Sequence, residues 1–261
     1  MPKIETVIFD WAGTTVDYGC FAPVNAFMET FRAFGIEPTI QETREPMGML
    51  KIDHIRTMLS MERIGQLWED TYGKKSTEED VCALYEMFEK KLLESLRGYV
   101  QPKPYVLDTV RALREKEIKI GSTTGYNDKM MAIVTEGAAE MGYQPDCWFS
   151  PDAVGGKGRP YPYMIFQNLQ MLQVLAVDRA VKVGDTVSDM KEGKNAGCWS
   201  VGVLEGSSEL ALTEEEFLAL SHGQQQEEKL RVRQRFLDAG ADFVIDHLGQ
   251  LPDLVASIER I

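Results

Sequence analysis

Three short stretches of this chain bring carboxylates or hydroxyls to places where a ligand could be held. Thr6-Val7-Ile8-Phe9-Asp10 is a short apolar, β-branched run ending in an aspartate, followed by Trp11-Ala12-Gly13-Thr14-Thr15-Val16-Asp17. Such a run ends a buried parallel strand and sets its carboxylate at the C-terminal edge. Open α/β sheets bind their ligands at that edge. Val183-Gly184-Asp185-Thr186-Val187-Ser188-Asp189 sets two more carboxylates just past another strand end. Magnesium takes hard oxygen ligands and tolerates few carboxylates beside a substrate phosphate. Asp10 and Asp185 at neighbouring strand tips fit that demand. Ile120-Gly121-Ser122-Thr123-Thr124-Gly125 runs a strand into hydroxyls and a glycine. A turn of this kind offers O–H and N–H donors to a phosphoryl oxygen. Each stretch also has a plainer reading. Asp10 and Asp185 could cap helices, Asp189 could be solvated, and Ser122–Gly125 could be only a turn.

Lys51 and His54 form a further pair, three residues apart in Pro46-Met47-Gly48-Met49-Leu50-Lys51-Ile52-Asp53-His54. On a helix they share one face. On residue types alone they read as a solvated lysine and a half-buried histidine.

These residues must be positioned by ordered elements, and the composition allows it. The chain has 261 residues, 44% of them hydrophobic, room for a core plus a smaller inserted domain. A net charge of −13 argues against nucleic acid or an anionic membrane as partner, since both require a basic face. It still admits an anionic small substrate where local cations and a metal outweigh the global field. Cys20, Cys82, Cys147 and Cys198 are scattered, with no CxxC and no secretory segment, as expected of a reduced cytoplasmic protein. Three histidines argue against a zinc site. No apolar run reaches the ~20 residues of a membrane helix.

Phe21 to Phe34 has apolar residues at helical spacing and stops at Gly35, and Thr39 to Gly98 reads as helix after helix. Thr77 with Glu78, Glu79 and Asp80 opens the clearest of these, with Val81, Leu84, Tyr85, Phe88, Leu92 and Leu96 on one face. From Pro104 the pattern alternates. Strands are expected at Ile118–Ser122, Cys147–Phe149, Ala180–Val183, Trp199–Val203 and Phe243–Ile245, with helices between them. Strands so separated pair in parallel through right-handed crossovers. The expected fold is α/β, a doubly wound parallel-sheet (Rossmann-like) core with an inserted small helical cap domain. The core is 1–19 with 100–261, and the cap is 20–99. Thr213 to Glu216 reads as a capping box, and Gln224–Arg233 as a solvated helix face.

The three strand-end stretches resemble, in order, motifs one, two and four of the haloacid-dehalogenase-like superfamily, over residues 4 to about 204. The resemblance implies that Asp10 is a nucleophile taking up a phosphoryl group. It further implies that Asp10, Asp185 and the Ala12 backbone carbonyl hold Mg2+, and that Asp189 orients Asp185 or the attacking water. Arg159 in Gly158-Arg159-Pro160-Tyr161-Pro162 is the best match to the cationic third motif, with Lys157 the weaker one. One position departs from the pattern. Phosphatases and mutases of this superfamily carry an aspartate two residues after the nucleophile, and here Ala12 stands there. A methyl group transfers no proton, so an ordinary phosphomonoester would lack its general acid.

The stretches Asp10–Cys20, Met47-Gly48 with Lys51, Gly121–Tyr126, Gly158–Pro162 and Lys182–Asp189 resemble the phosphonatase family of that superfamily almost end to end. The resemblance implies C–P hydrolysis of phosphonoacetaldehyde, in 2-aminoethylphosphonate breakdown, through a Lys51 Schiff base and an Asp10 aspartyl-phosphate. Carbon departs from phosphorus only into an electron sink, which an iminium on Lys51 supplies. His54 would shuttle protons, and Thr124 with the Gly125 N–H would hold phosphonate oxygens. Cys20, Met47 and Tyr126 match pocket-lining positions and are equally readable as packing. A homodimer joined through the cap is also implied. The alternatives are a sugar-phosphate phosphatase or mutase, against which Ala12 speaks, and a catalytically silent binding module.

Overall fold

The structure is a computed structural model and describes residues 3–260. Five parallel strands form one sheet: β1 (Thr6–Phe9), β2 (Lys119–Ser122), β3 (Ala180–Gly184), β4 (Trp199–Val203) and β5 (Phe243–Ile245), in the order β2-β1-β3-β4-β5. β1 and β3 are buried along their whole length, which accounts for their near-continuous apolar sequences. The order reverses at β1, and the register pairs Phe9 with both Ser122 and Val183. Asp10, Thr123 and Gly184 therefore leave the sheet side by side, at the switch point where α/β folds bind ligands.

Between β1 and β2 the chain forms α1 (Phe21–Ala33), α2 (Ile40–Arg44), α3 (Lys51–Ser60), α4 (Glu62–Tyr72), α5 (Glu78–Ser95) and α6 (Val106–Glu115). No strand interrupts this block. α5 begins where expected, with Thr77 and Asp80 capping one another, an arrangement worth about 1 kcal/mol. Its Val81, Leu84, Phe88 and Leu92 are buried, and Phe88 stacks on Phe27 of α1 with ring centres 4.0 Å apart. α6 then crosses back to the sheet.

The remaining helices are α7 (Asp128–Glu140), α8 (Tyr163–Met171), α9 (Val187–Ala196), α10 (Glu214–Ala219), α11 (His222–Asp238) and α12 (Leu251–Ile258). The fold is thus the α/β doubly wound architecture the alternating pattern implies.

Two expectations are corrected. Cys147–Phe149 is not a strand. Asp146 donates to the Ile120 carbonyl (2.7 Å) and Phe149 to the Ser122 carbonyl (3.0 Å), so three residues span what two span on β2, and the ladder cannot continue. The stretch around Lys229 is not simply a solvated face. Lys229, Val232 and Phe236 lie on one stripe of α11 and are all buried, and the Lys229 amine is ion-paired to Glu205 (2.6 Å) and Asp246 (3.0 Å).

Candidate active site

Asp10 is held by its backbone. Its N–H donates to the Val183 carbonyl (2.9 Å), and its carbonyl accepts from Thr15 Oγ1 (3.0 Å). The side chain is almost wholly buried, and Oδ1 accepts from Arg159 Nη2 at 2.6 Å. Arg159 comes from the turn before α8, 149 residues away in sequence.

Asp185 follows β3 directly. Oδ1 accepts from Thr14 Oγ1 (2.8 Å) and Oδ2 from the Ser208 N–H (2.7 Å). A Cβ on Gly13 would lie 2.1 Å from Asp185 Oδ2, so the absence of a side chain there admits the carboxylate. The Gly13 backbone, at φ +88°, also suits glycine. Burial, then the charges of Asp10 and Asp189, push the Asp185 carboxyl well above the ordinary range. Asp10, Asp185 and Asp189 each offer an oxygen within 4.8 Å of the others. Three buried carboxylates converging in this way offer a cluster of hard oxygen donors, and a hard divalent cation fits that donor type.

Asp189 has a different setting from the one expected. It is the third residue of α9, and its Oδ2 accepts from Thr186 N–H (3.2 Å) and Oγ1 (2.6 Å) in a capping box. Oδ1 lies 3.1 Å from Arg159 Nη1 and 2.9 Å from Lys182 Nζ. Burial works against its charge, yet Arg159 and Lys182 outweigh burial and hold its pKa below the usual value. Its partners are the cap of α9 and two cations; among the described residues no hydrogen bond joins it to Asp185. Neither Asp185 nor Asp189 stands alone as a helix cap: Thr186 takes that position.

A small cavity of about 20 Å³, room for one water, opens beside Asp10. Core residues Asp10, Ala12, Thr124, Gly125, Tyr126 and Arg159 line it from one side. Cys20, at the entry to the helical block, and Met47, Gly48 and Lys51 close it from the other. Thr124 Oγ1 accepts from the Tyr126 N–H (3.0 Å), leaving its own hydrogen free to donate. A larger cleft of about 680 Å³ runs along the connections at Asp17–Phe21 and Gly98–Pro104 but holds none of the converging carboxylates.

Lys51 opens α3 and is buried. Its Nζ lies 5.2 Å from the centre of the Tyr126 ring and 5.8 Å from that of Phe27. No carboxylate among the described residues is within ion-pair distance. Burial lowers the affinity of the amine for its proton; Arg159 adds to this and Asp10 opposes it. A helix N-terminus disfavours a cation as well. Burial holds the Cys20 thiol protonated, so it lends Lys51 no counter-charge.

His54 does not line the cavity. It is fully buried one turn along α3, stacked on Phe27 at 3.9 Å, with Nε2 2.8 Å from the Thr43 carbonyl. A carbonyl only accepts, so Nε2 carries the hydrogen and Nδ1 keeps a lone pair that has no partner among the described residues. Burial, then the charge of Lys51, drives its pKa well down and keeps the ring neutral.

Lys182 and Glu192 are the residues that sequence reasoning passed over. Both are fully buried and, with Thr123, surround Arg159. The signal was present: Lys182 is a lysine inside the otherwise apolar Ala180-Val181-Lys182-Val183, and Glu192 follows Asp189 by three residues on one helical face.

The haloacid dehalogenase-like hydrolase family matches residues 4–197 of the chain. A phosphonoacetaldehyde hydrolase of Lysinibacillus sphaericus is 54% identical over 258 residues, 99% of this chain and 96% of that one. The chain belongs to the haloacid dehalogenase-like hydrolases, in their phosphonoacetaldehyde hydrolase family. A second relative of this family, in Clostridioides difficile, is a bifunctional phosphonoacetaldehyde hydrolase/aminoethylphosphonate transaminase, 51% identical over 99% of this chain and 40% of its own length. Among solved structures, a phosphonoacetaldehyde hydrolase-like protein from Oleispira antarctica superposes with a TM-score of 0.96 at 39% identity, covering 100% of this chain and 94% of that one.

Proposed function

We propose that the chain hydrolyses the carbon–phosphorus bond of phosphonoacetaldehyde to acetaldehyde and phosphate, in the breakdown of 2-aminoethylphosphonate. The observation that carries this is Lys51, a buried amine without a carboxylate partner, facing Asp10 across one small cavity. The relatives' names support the same reading. So does the fusion of hydrolase and transaminase in one of them, since transamination of an aminoethylphosphonate makes the aldehyde.

The neutral Lys51 amine adds to the substrate aldehyde, and loss of water gives an iminium. The Asp10 carboxylate attacks phosphorus, the C–P electrons flow into the iminium, and an enamine remains on Lys51 beside the Asp10 aspartyl-phosphate. Water hydrolyses the acyl phosphate to release phosphate. Protonation of the enamine carbon and hydrolysis of the resulting iminium release acetaldehyde and restore the amine. Arg159, the Thr124 hydroxyl and the Gly125 N–H bind the phosphonate oxygens, and Arg159 steers Asp10 by the bond it already makes. With its Nε2–H committed to Thr43 and its ring stacked on Phe27 outside the cavity, His54 helps seat the α3 turn that carries Lys51. Ala12 supplies no acid, and none is needed when carbon leaves into an iminium. Asp10, Asp185 and the Ala12 carbonyl would hold Mg2+, which when bound offsets phosphonate charge so that one anion can approach another.

The test is borohydride trapping. The protein is incubated with phosphonoacetaldehyde, reduced and digested for mass spectrometry, with Lys51→Arg as control. A reduced two-carbon adduct on the Lys51 peptide, absent together with turnover in Lys51→Arg, is the expected result. An active Lys51→Arg without adduct, hydrolysing sugar phosphates, would overturn the proposal. No described helix is long and apolar enough to cross a membrane. We further propose a cytoplasmic homodimer, on the strength of the sequence resemblance; a monomer mass by sedimentation equilibrium would contradict it.

A further inference from the structure

Lys182 and Glu192 do not reach the cavity, yet they contact the groups that position Arg159. Lys182 Nζ lies 3.0 Å from Thr123 Oγ1, 2.9 Å from Asp189 Oδ1 and 3.4 Å from Glu192 Oε2. Glu192 Oε2 accepts from Arg159 Nε (3.0 Å) and from Thr123 Oγ1 (2.9 Å). With Nε so held, Arg159 turns Nη1 to Asp189 (3.1 Å) and Nη2 to Asp10 (2.6 Å). The side chains of Lys182, Asp189 and Glu192 have no solvent exposure at all. Burying so many charges is costly unless each is paired, and here the pairing runs directly into the site.

The formal charges are instructive. Lys182, Arg159, Asp10, Asp189 and Glu192 form one contiguous buried ion-pair network beside Asp185, so removing the charge of Lys182 or of Glu192 shifts the balance of the site by one unit, in opposite directions. A divalent cation is attracted by a negative balance and a phosphoryl anion is repelled by it. In a poorly solvated site each buried unit charge acts strongly on both. We propose that Lys182 and Glu192 are paired positioning residues that divide the affinity of the site between its divalent cation and its phosphoryl anion. Lys182 does so by offsetting Asp189, and Glu192 by aiming and offsetting Arg159. This rests on the magnesium reading given above.

The experiment measures Mg2+ and inorganic phosphate binding by calorimetry on the full chain and on Lys182→Met, Glu192→Gln and the double variant. Methionine nearly matches lysine in shape, and glutamine keeps an acceptor for Arg159 Nε. Lys182→Met is expected to bind Mg2+ about ten-fold more tightly and phosphate about ten-fold more weakly, and Glu192→Gln to do the reverse. The double variant, which loses one charge of each sign and so keeps the parent's net charge, is expected within about three-fold of the parent for both ions. Removing both partners of a buried pair is better tolerated than removing one, so if Lys182→Met does not fold, the other two variants decide. Single variants that weaken both ions together, or move neither, would overturn the inference while leaving the magnesium reading intact. A parent protein that binds phosphate but no Mg2+ would overturn both.

Discussion

Ala12 and Lys51 are complementary at the level of the single residue. An enzyme that breaks a P–O bond protonates an oxygen leaving group, whereas a carbon leaving group needs an electron sink. A methyl at one position and a buried amine at the other suit the second problem. Asp17, at the end of the same stretch, has a structural task instead. Cys20 adopts a left-handed conformation and cannot cap α1, so Asp17 accepts from the N–H groups of Phe21 (2.9 Å) and Ala22 (3.0 Å). Burial pushes its carboxyl up from 3.8 to about 6, with those two hydrogen bonds opposing the shift. Between pH 4 and 6 the folded protein therefore holds this proton more firmly than the unfolded chain, and the Asp17 contribution to stability falls as pH rises through that window. The change is about 3 kcal/mol. Denaturant unfolding of the parent and of Asp17→Asn at pH 4, 5, 6 and 7 checks this. The difference between the two should change by that amount across the window, and a pH-independent difference would refute it.

At the level of elements, the decisive contact is the seating of the loop between α2 and α3 on the sheet side of the site. Gly48 has φ +83°, and a Cβ there would stand 2.4 Å from Thr186 Oγ1 and 3.0 Å from Ser188 Cβ. A Cβ on Gly125 would stand 2.9 Å from the Met49 carbonyl. Backbone thus meets backbone where Lys51 is brought over Asp10. Gly48→Ala adds about 1–2 kcal/mol of backbone strain and forces the loop off Thr186. Its kcat/KM for phosphonoacetaldehyde should fall at least about ten-fold, mainly through KM, with the rest of the fold intact by circular dichroism. Unchanged kinetics would mean that the loop does not seat the lysine. The elements themselves were largely legible, because apolar periodicity and the capping residues Thr77 and Thr213 are local signals. Cys147–Phe149 misled because an aromatic run reads as strand, whereas the register against β2 slips by one residue.

For the whole molecule, −13 of net charge and a buried acidic cluster at the sheet edge point to a fold that gains from a bound cation. Mg2+ at a hundred times its Kd should add about 2.7 kcal/mol to stability, a rise of several degrees in Tm. Scanning calorimetry with Mg2+ and with a chelator measures this directly. A Tm that ignores both would argue that the three carboxylates are arranged for something other than a metal.

The amino-acid sequence by itself determined which residues end the strands and what they are. Asp10, Asp185 and Thr124 were legible because strand tips in a parallel sheet can be read from local apolar runs, whereas Lys51 and Ala12 stood out only through the family resemblance. Only the tertiary structure decided how these groups meet. It set Arg159 against Asp10 across 149 residues, gave Asp189 to Arg159 and Lys182, withdrew His54 behind Phe27, and buried Lys182 and Glu192 beside Thr123. Register and packing choose those partners, and both arise from contacts between segments far apart in the chain, where local residue pattern carries no distance.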